Sequence, residues 1–147
     1  MRFHSGKLCI VVLFLSIAPT GCSMNGLPMK APSASSSIEA PPEVSADAVL
    51  SCAEKAVVRL EKTDEQWDLR VTRKDIRSGI LETGNFAEEN ESGFRVKVTF
   101  DPDTHRIDIV LKGAGAYFVD LGVDSAIDAF SAAMRECLPR SAGTPLG

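Results

Sequence analysis

The sequence predicts an α+β fold: an antiparallel sheet of four to five strands, covered on one face by an N-terminal and a C-terminal helix. Two observations predict it. Apolar residues recur every three to four positions in a segment near residue 50 and in another near residue 130, and at every second position in the segments between them. An antiparallel sheet with one apolar face needs a cover on that face, and two terminal helices would supply it.

The first helix is predicted to begin near Ser45, whose hydroxyl can accept a hydrogen bond from the first turn. Asp47 follows in that first turn, where the helix dipole favours a negative charge. One face of this helix is apolar and is formed by Val49, Leu50, Ala53, Ala56, Val57 and Leu60.

The strands are predicted from alternation of apolar and polar residues over residues 67–72, 94–100 and 107–111. The turn sequence Asp101-Pro102-Asp103-Thr104 predicts that the last two of these form a hairpin. Two further strands are expected over residues 80–86 and 115–121, the first of them followed by an acidic loop at residues 88–93.

The last helix is predicted to start with Asp124 as its N-cap and to stop before Pro139. Arg135 lies in its last turn, where the dipole favours a cation. Its apolar face consists of Ile127, Phe130, Ala133, Met134, Cys137 and Leu138.

The N-terminus has the layout of a signal peptide, because the cations Arg2 and Lys7 precede an uninterrupted apolar run over residues 8–18. As a helix this run would measure about 16 Å, whereas a hydrocarbon core is about 30 Å thick. The run is therefore too short for a stable transmembrane span.

The sequence Pro19-Thr20-Gly21-Cys22 resembles the lipobox of bacterial lipoproteins, although Pro19 replaces the usual leucine-like residue. The resemblance implies cleavage before Cys22, attachment of diacylglycerol and a palmitate-like acyl chain to that cysteine, and anchoring in a bilayer. Ser23, in place of aspartate, implies the outer membrane, facing the periplasm. The alternative is ordinary secretion after Ser16-Ile17-Ala18, which would leave Pro19 directly after the cleaved bond.

Four regions follow: a signal peptide over residues 1–21, a lipidated tether over 22–46, the α+β domain over 47–139 and a flexible tail over 140–147. The tether is inferred from its content of Ser, Ala and Pro. The same composition is compatible with a segment that orders on a partner. Cleavage leaves 126 of the 147 residues and changes the net charge from −4 to −6. This acidity argues against nonspecific binding to nucleic acid.

Cys52 and Cys137 lie on the apolar faces of the two predicted helices and, in an exported protein, are expected to form a disulfide. A redox-active pair is the alternative, but the two residues do not have the Cys-x-x-Cys spacing.

A basic sheet face is a candidate binding site, because the outward strand positions are mostly cationic. The alternative is that cross-strand pairs with Asp108 and Glu82 simply keep this face soluble. The cations in question are Arg70, Arg95, Lys97, Arg106 and Lys112.

Little in the sequence indicates catalysis, a cofactor or a metal. Asp101, Asp103 and His105 are too few for a calcium or zinc site, and Gly113-Ala114-Gly115 lacks the context of a dinucleotide loop. We therefore expect a non-catalytic interaction or ligand-binding module, anchored to the bilayer through Cys22 and possessing an envelope protein partner, as in a surface or secretion assembly. The alternatives are an immunity or inhibitor protein, whose acidic loop would attract a basic toxin or hydrolase, and a small enzyme.

Overall fold

The computed structural model describes residues 29–64 and 66–139. It contains a five-stranded antiparallel sheet with the spatial order β1-β5-β4-β3-β2, against which two helices pack. The predicted α+β fold is confirmed. The strands are β1 Ser33–Glu39, β2 Val71–Asp75, β3 Ile80–Thr83, β4 Gly93–Asp101 and β5 Arg106–Ala114, and the helices are α1 Ala46–Glu61 and α2 Val123–Cys137.

The core lies between the sheet and the helices. The predicted hairpin joins β4 to β5, and its register pairs Val96 with Leu111 and Val98 with Ile109. All four side chains are fully buried because they face the helices. Helix α1 packs on β3 and β4, whereas α2 packs on β1 and β5.

Both helices have caps, but only the first cap was predicted correctly. The Ser45 hydroxyl accepts a hydrogen bond from the Ala48 N–H at 3.3 Å, at the start of α1. At the start of α2, Asp120 Oδ1 accepts from the N–H groups of Gly122 and Val123, at 2.8 and 3.0 Å. The predicted cap, Asp124, lies inside the first turn instead.

Part of the predicted tether belongs to the domain. Strand β1 forms one edge of the sheet and pairs with β5 over seven residues. Ile38 of this strand is buried in the core, and the hydroxyls of Ser36 and Ser131 are hydrogen-bonded at 3.1 Å. The assignment of residues 22–46 to a tether is thus wrong for this segment, whose small side chains fit closely under α2.

Three predicted strands also differ from the structure, the first being the one expected over residues 80–86, which ends at Thr83. Near residue 67, Asp68 Oδ1 accepts a hydrogen bond from the Arg70 N–H at 2.9 Å, and this turn delays the start of β2 to Val71. Trp67 is instead a core residue, with its ring 5.1 Å from Phe94. Residues 115–121, predicted as a strand, form a compact turn that includes the short 3-10 segment Ala116–Phe118.

None of the helices in the described ranges is long and apolar enough to cross a membrane. The predicted signal peptide, the lipobox with Cys22 and the tail at residues 140–147 lie outside the described residues.

Candidate interaction surface

The predicted disulfide is present. Cys52 of α1 is joined to Cys137 of α2, with their Cα atoms 5.6 Å apart, so the two helices lie side by side. The bond links the part of the layer above β3 and β4 to the part above β1 and β5.

The predicted basic face is not a patch of free cations. Arg95 was expected to be exposed, but it is 0% exposed. The other four cations each contact a carboxylate. The ion pairs are Arg70–Asp68 at 2.6 Å, Lys97–Glu82 at 3.2 Å, Arg106–Asp108 at 2.7 Å and Lys112–Glu89 at 2.6 Å. The pairs with Glu82 and Asp108 are those that the solubility interpretation names, so this face carries balanced charge.

Arg95 is buried because the loop at residues 84–92 folds over it. Its Nη1 donates hydrogen bonds to the carbonyls of Asn85 and Glu88, at 2.9 and 2.6 Å. Its Nε and Nη2 have no partner in the part of the chain that the structure describes. Gly84, at a φ of +59°, permits this closure, because a Cβ there would lie 2.8 Å from Arg95 Cγ.

The carboxylates around this loop are engaged within the domain. Hydrogen bonding from Arg70 holds the pKa of Asp68 below its usual value. Lys112 Nζ donates to Glu89 at 2.6 Å, and this contact, followed by one from the Ala31 N–H, lowers the pKa of Glu89. Glu91 contacts the Asn85 amide and lies 3.7 Å from Arg70. The loop therefore offers less free negative charge than its sequence indicates.

The turn that follows β5 presents an exposed aromatic residue. The Gly115 N–H donates to the Val119 carbonyl at 2.7 Å, which closes the turn. Tyr117 and Phe118 both have left-handed backbones, with φ values of 57° and 60°. Each such residue costs roughly 1–2 kcal/mol when it is not glycine. The result is that Tyr117 is 93% exposed and Val119 is 61% exposed.

The loop at residues 84–92, the turn after β5 and residues 29–32 meet at one end of the sheet. A cavity of about 180 Å³ is lined by Glu89 and Glu91 on one side and by Tyr117 and Phe118 on the other. The Ala31 N–H donates to Glu89 at 2.8 Å, so residues 29–32 lie beside this cavity. We call residues 29–32, 84–93 and 114–122 the loop end of the domain.

The opposite end of the sheet contains Asp101, Asp103 and His105, the residues that the sequence offers as metal ligands. Asp101 accepts hydrogen bonds from the Thr104 hydroxyl at 2.8 Å and the Asp103 N–H at 2.9 Å, and these contacts lower its pKa. The His105 carbonyl accepts from the Ala40 N–H at 2.8 Å. Within residues 29–64 and 66–139, no three His, Cys, Asp or Glu side chains are grouped as metal ligands would be. Asp101 closes the hairpin turn.

Comparison of the chain with protein-family models, curated proteins and solved structures finds no significant match. The function is therefore inferred from the sequence motifs and the described surfaces.

Proposed function

We propose that this chain is a lipid-anchored protein of the cell envelope, cleaved before Cys22, whose domain is a non-catalytic interaction module. The anchor is inferred from the apolar run at residues 8–18 and the lipobox-like sequence that ends at Cys22. The proposed location is the outer membrane, with the domain in the periplasm.

The observation that best supports export is the Cys52–Cys137 disulfide. Disulfides persist in oxidising compartments such as the periplasm and are rare in the cytosol. Because this bond joins both helices of a small domain, it would stabilise the domain only in a compartment where it stays oxidised.

The sheet face away from the helices supports an interaction role. Within the part of the chain that the structure describes, no element covers it outside the loop that encloses Arg95, and it combines small hydroxyl side chains with paired charges. Ser37 and Thr99 lie on this face, in register with Asp108 on either side. A partner would meet a surface of hydrogen-bonding groups without having to displace many free charges.

Labelling with an alkyne analogue of palmitate tests the anchor in the native host. We expect wild type and Cys9→Ala to be labelled and to fractionate with membranes, because Cys9 lies in the segment removed by cleavage. Cys22→Ala should lose both properties, because the lipidated thiol is gone. Labelling of Cys22→Ala at the wild-type level would contradict the proposal.

Photo-crosslinking in the native host tests the interaction role. A photo-crosslinking residue at Ser37, on the uncovered face, should give a discrete product with an envelope protein. The matched control is Asp128, exposed on α2. An identical pattern of products from both positions would contradict a partner on the sheet face.

A further inference from the structure

The sequence predicts a tether over residues 22–46 between the anchor and the domain. Because β1 already begins at Ser33, the chain between the proposed anchor and the domain is shorter than that. Among the described residues, Ala31 is the first to form a hydrogen bond with the loop at residues 84–92, and nine Cα–Cα steps separate it from Cys22. At roughly 3.3–3.6 Å per residue, even a fully extended chain of this length spans only about 30 Å. The loop end is therefore the part of the domain held nearest to the lipid on Cys22.

That same end exposes apolar and aromatic side chains. Tyr117 and Val119 project from the turn after β5. Met29, which is 61% exposed, lies two residues before Ala31. Tyrosine is enriched at membrane–water interfaces because its ring is apolar and its hydroxyl is polar. The left-handed backbone at Tyr117 and Phe118 turns this side chain away from the domain despite its conformational cost.

Two of the four carboxylates of the loop end are paired with cations, which reduces the repulsion between this end and a lipid surface; Glu88 and Asp120 form no ion pair within the described residues. Glu89 and Glu91 would repel an anionic bilayer if they were free, but each lies close to a cation, Lys112 and Arg70 respectively. Lys30 is exposed beside Met29 and would be attracted to lipid phosphates.

We propose that the loop end rests on the bilayer, with the turn around Tyr117 in the headgroup region. This inference depends on the proposed lipid anchor at Cys22. It orients the domain, since the hairpin turn at residues 101–105 and the turn after β2 then point away from the membrane. The uncovered sheet face stands at the side, accessible to a protein partner.

A fluorescent label in the lipidated full-length protein tests this orientation. Cys22 would be acylated, and Cys52 and Cys137 are joined, so a cysteine placed at exposed Ala116 supplies the one reactive thiol and keeps Tyr117. The matched control is Ile76→Cys, which lies at the opposite end and is 50% exposed in the native chain. Both proteins are labelled with an environment-sensitive fluorophore and reconstituted into phosphatidylethanolamine–phosphatidylglycerol vesicles.

We expect the label at residue 116 to shift to shorter wavelength, to be quenched by spin-labelled lipid and to lose most of its quenching by iodide. The label at residue 76 should stay aqueous. Adding Tyr117→Ser to the Ala116→Cys protein should reverse part of the shift. Equal iodide quenching at both positions, in protein that floats with the vesicles, would overturn the inference. Protein that does not float at all would instead refute the anchor on which the inference depends.

Discussion

Arg95 and Tyr117 show how neighbouring segments override the pattern of a strand or turn. Alternation along β4 puts Arg95 on the uncovered sheet face, yet the loop at residues 84–92 buries it and uses its guanidinium to hold two carbonyl groups. Alternation after β5 predicts a strand through Tyr117, yet the chain forms a turn that exposes this side chain. Arg95 is buried by contacts with residues seven and ten positions away, and the turn at Tyr117 is closed by the Gly115–Val119 hydrogen bond, so neither position follows from alternation alone.

Arg95→Glu should strongly destabilise the domain. A carboxylate in this buried position would face the Asn85 and Glu88 carbonyl oxygens and lie near Asp68, so an uncompensated buried charge of this kind costs about 3–5 kcal/mol. The free energy of unfolding in urea measures the effect.

The matched control is Lys97→Glu, two residues along the same strand. Lys97 is partly exposed and pairs with Glu82 at 3.2 Å, so its reversal should cost only about 1 kcal/mol. Similar losses of unfolding free energy in the two variants would show that the burial of Arg95 does not determine how much it contributes to stability.

Among the elements, those with a complete local pattern were predictable. Helix α1 and the β4–β5 hairpin have apolar periodicity together with a cap or a turn sequence, and both agree with the structure. Strand β1 was missed because Ser-Ala-Ser-Ser-Ser is typical of a linker and becomes a strand only through pairing with β5. The turn after β5 does not follow from the sequence either, because nothing in the sequence signals consecutive left-handed residues at Tyr117 and Phe118.

Ile38→Ala tests whether β1 is a structural part of the domain. Ile38 is 5% exposed in the core, and truncation of such a side chain costs about 2 kcal/mol or more. Chemical denaturation should show this loss, with Ser37→Ala in the same strand changing stability by no more than about 0.5 kcal/mol. If both variants unfold at the wild-type denaturant concentration, β1 does not contribute to the folded core.

For the whole molecule, the disulfide connects the two halves of the helical layer. Helix α1 covers β3 and β4 and α2 covers β1 and β5, so Cys52–Cys137 resists their separation. The bond closes a loop with a sequence separation of 85 residues. The chain-entropy model assigns about 4.5 kcal/mol to such a loop, and measured disulfides typically contribute about 2–4 kcal/mol.

The purified domain should therefore show no free thiol until it is reduced, and reduction should lower its melting temperature. At roughly 4 °C per kcal/mol for a domain of this size, a contribution of about 2–4 kcal/mol corresponds to about 8–16 °C. Thiol titration under denaturing conditions and thermal unfolding with and without reductant measure the two quantities. The Cys52→Ala/Cys137→Ala variant is the control, because reductant should not change its melting temperature. Two reactive thiols in the unreduced protein isolated from the envelope would refute the prediction and remove the main structural support for an oxidising location.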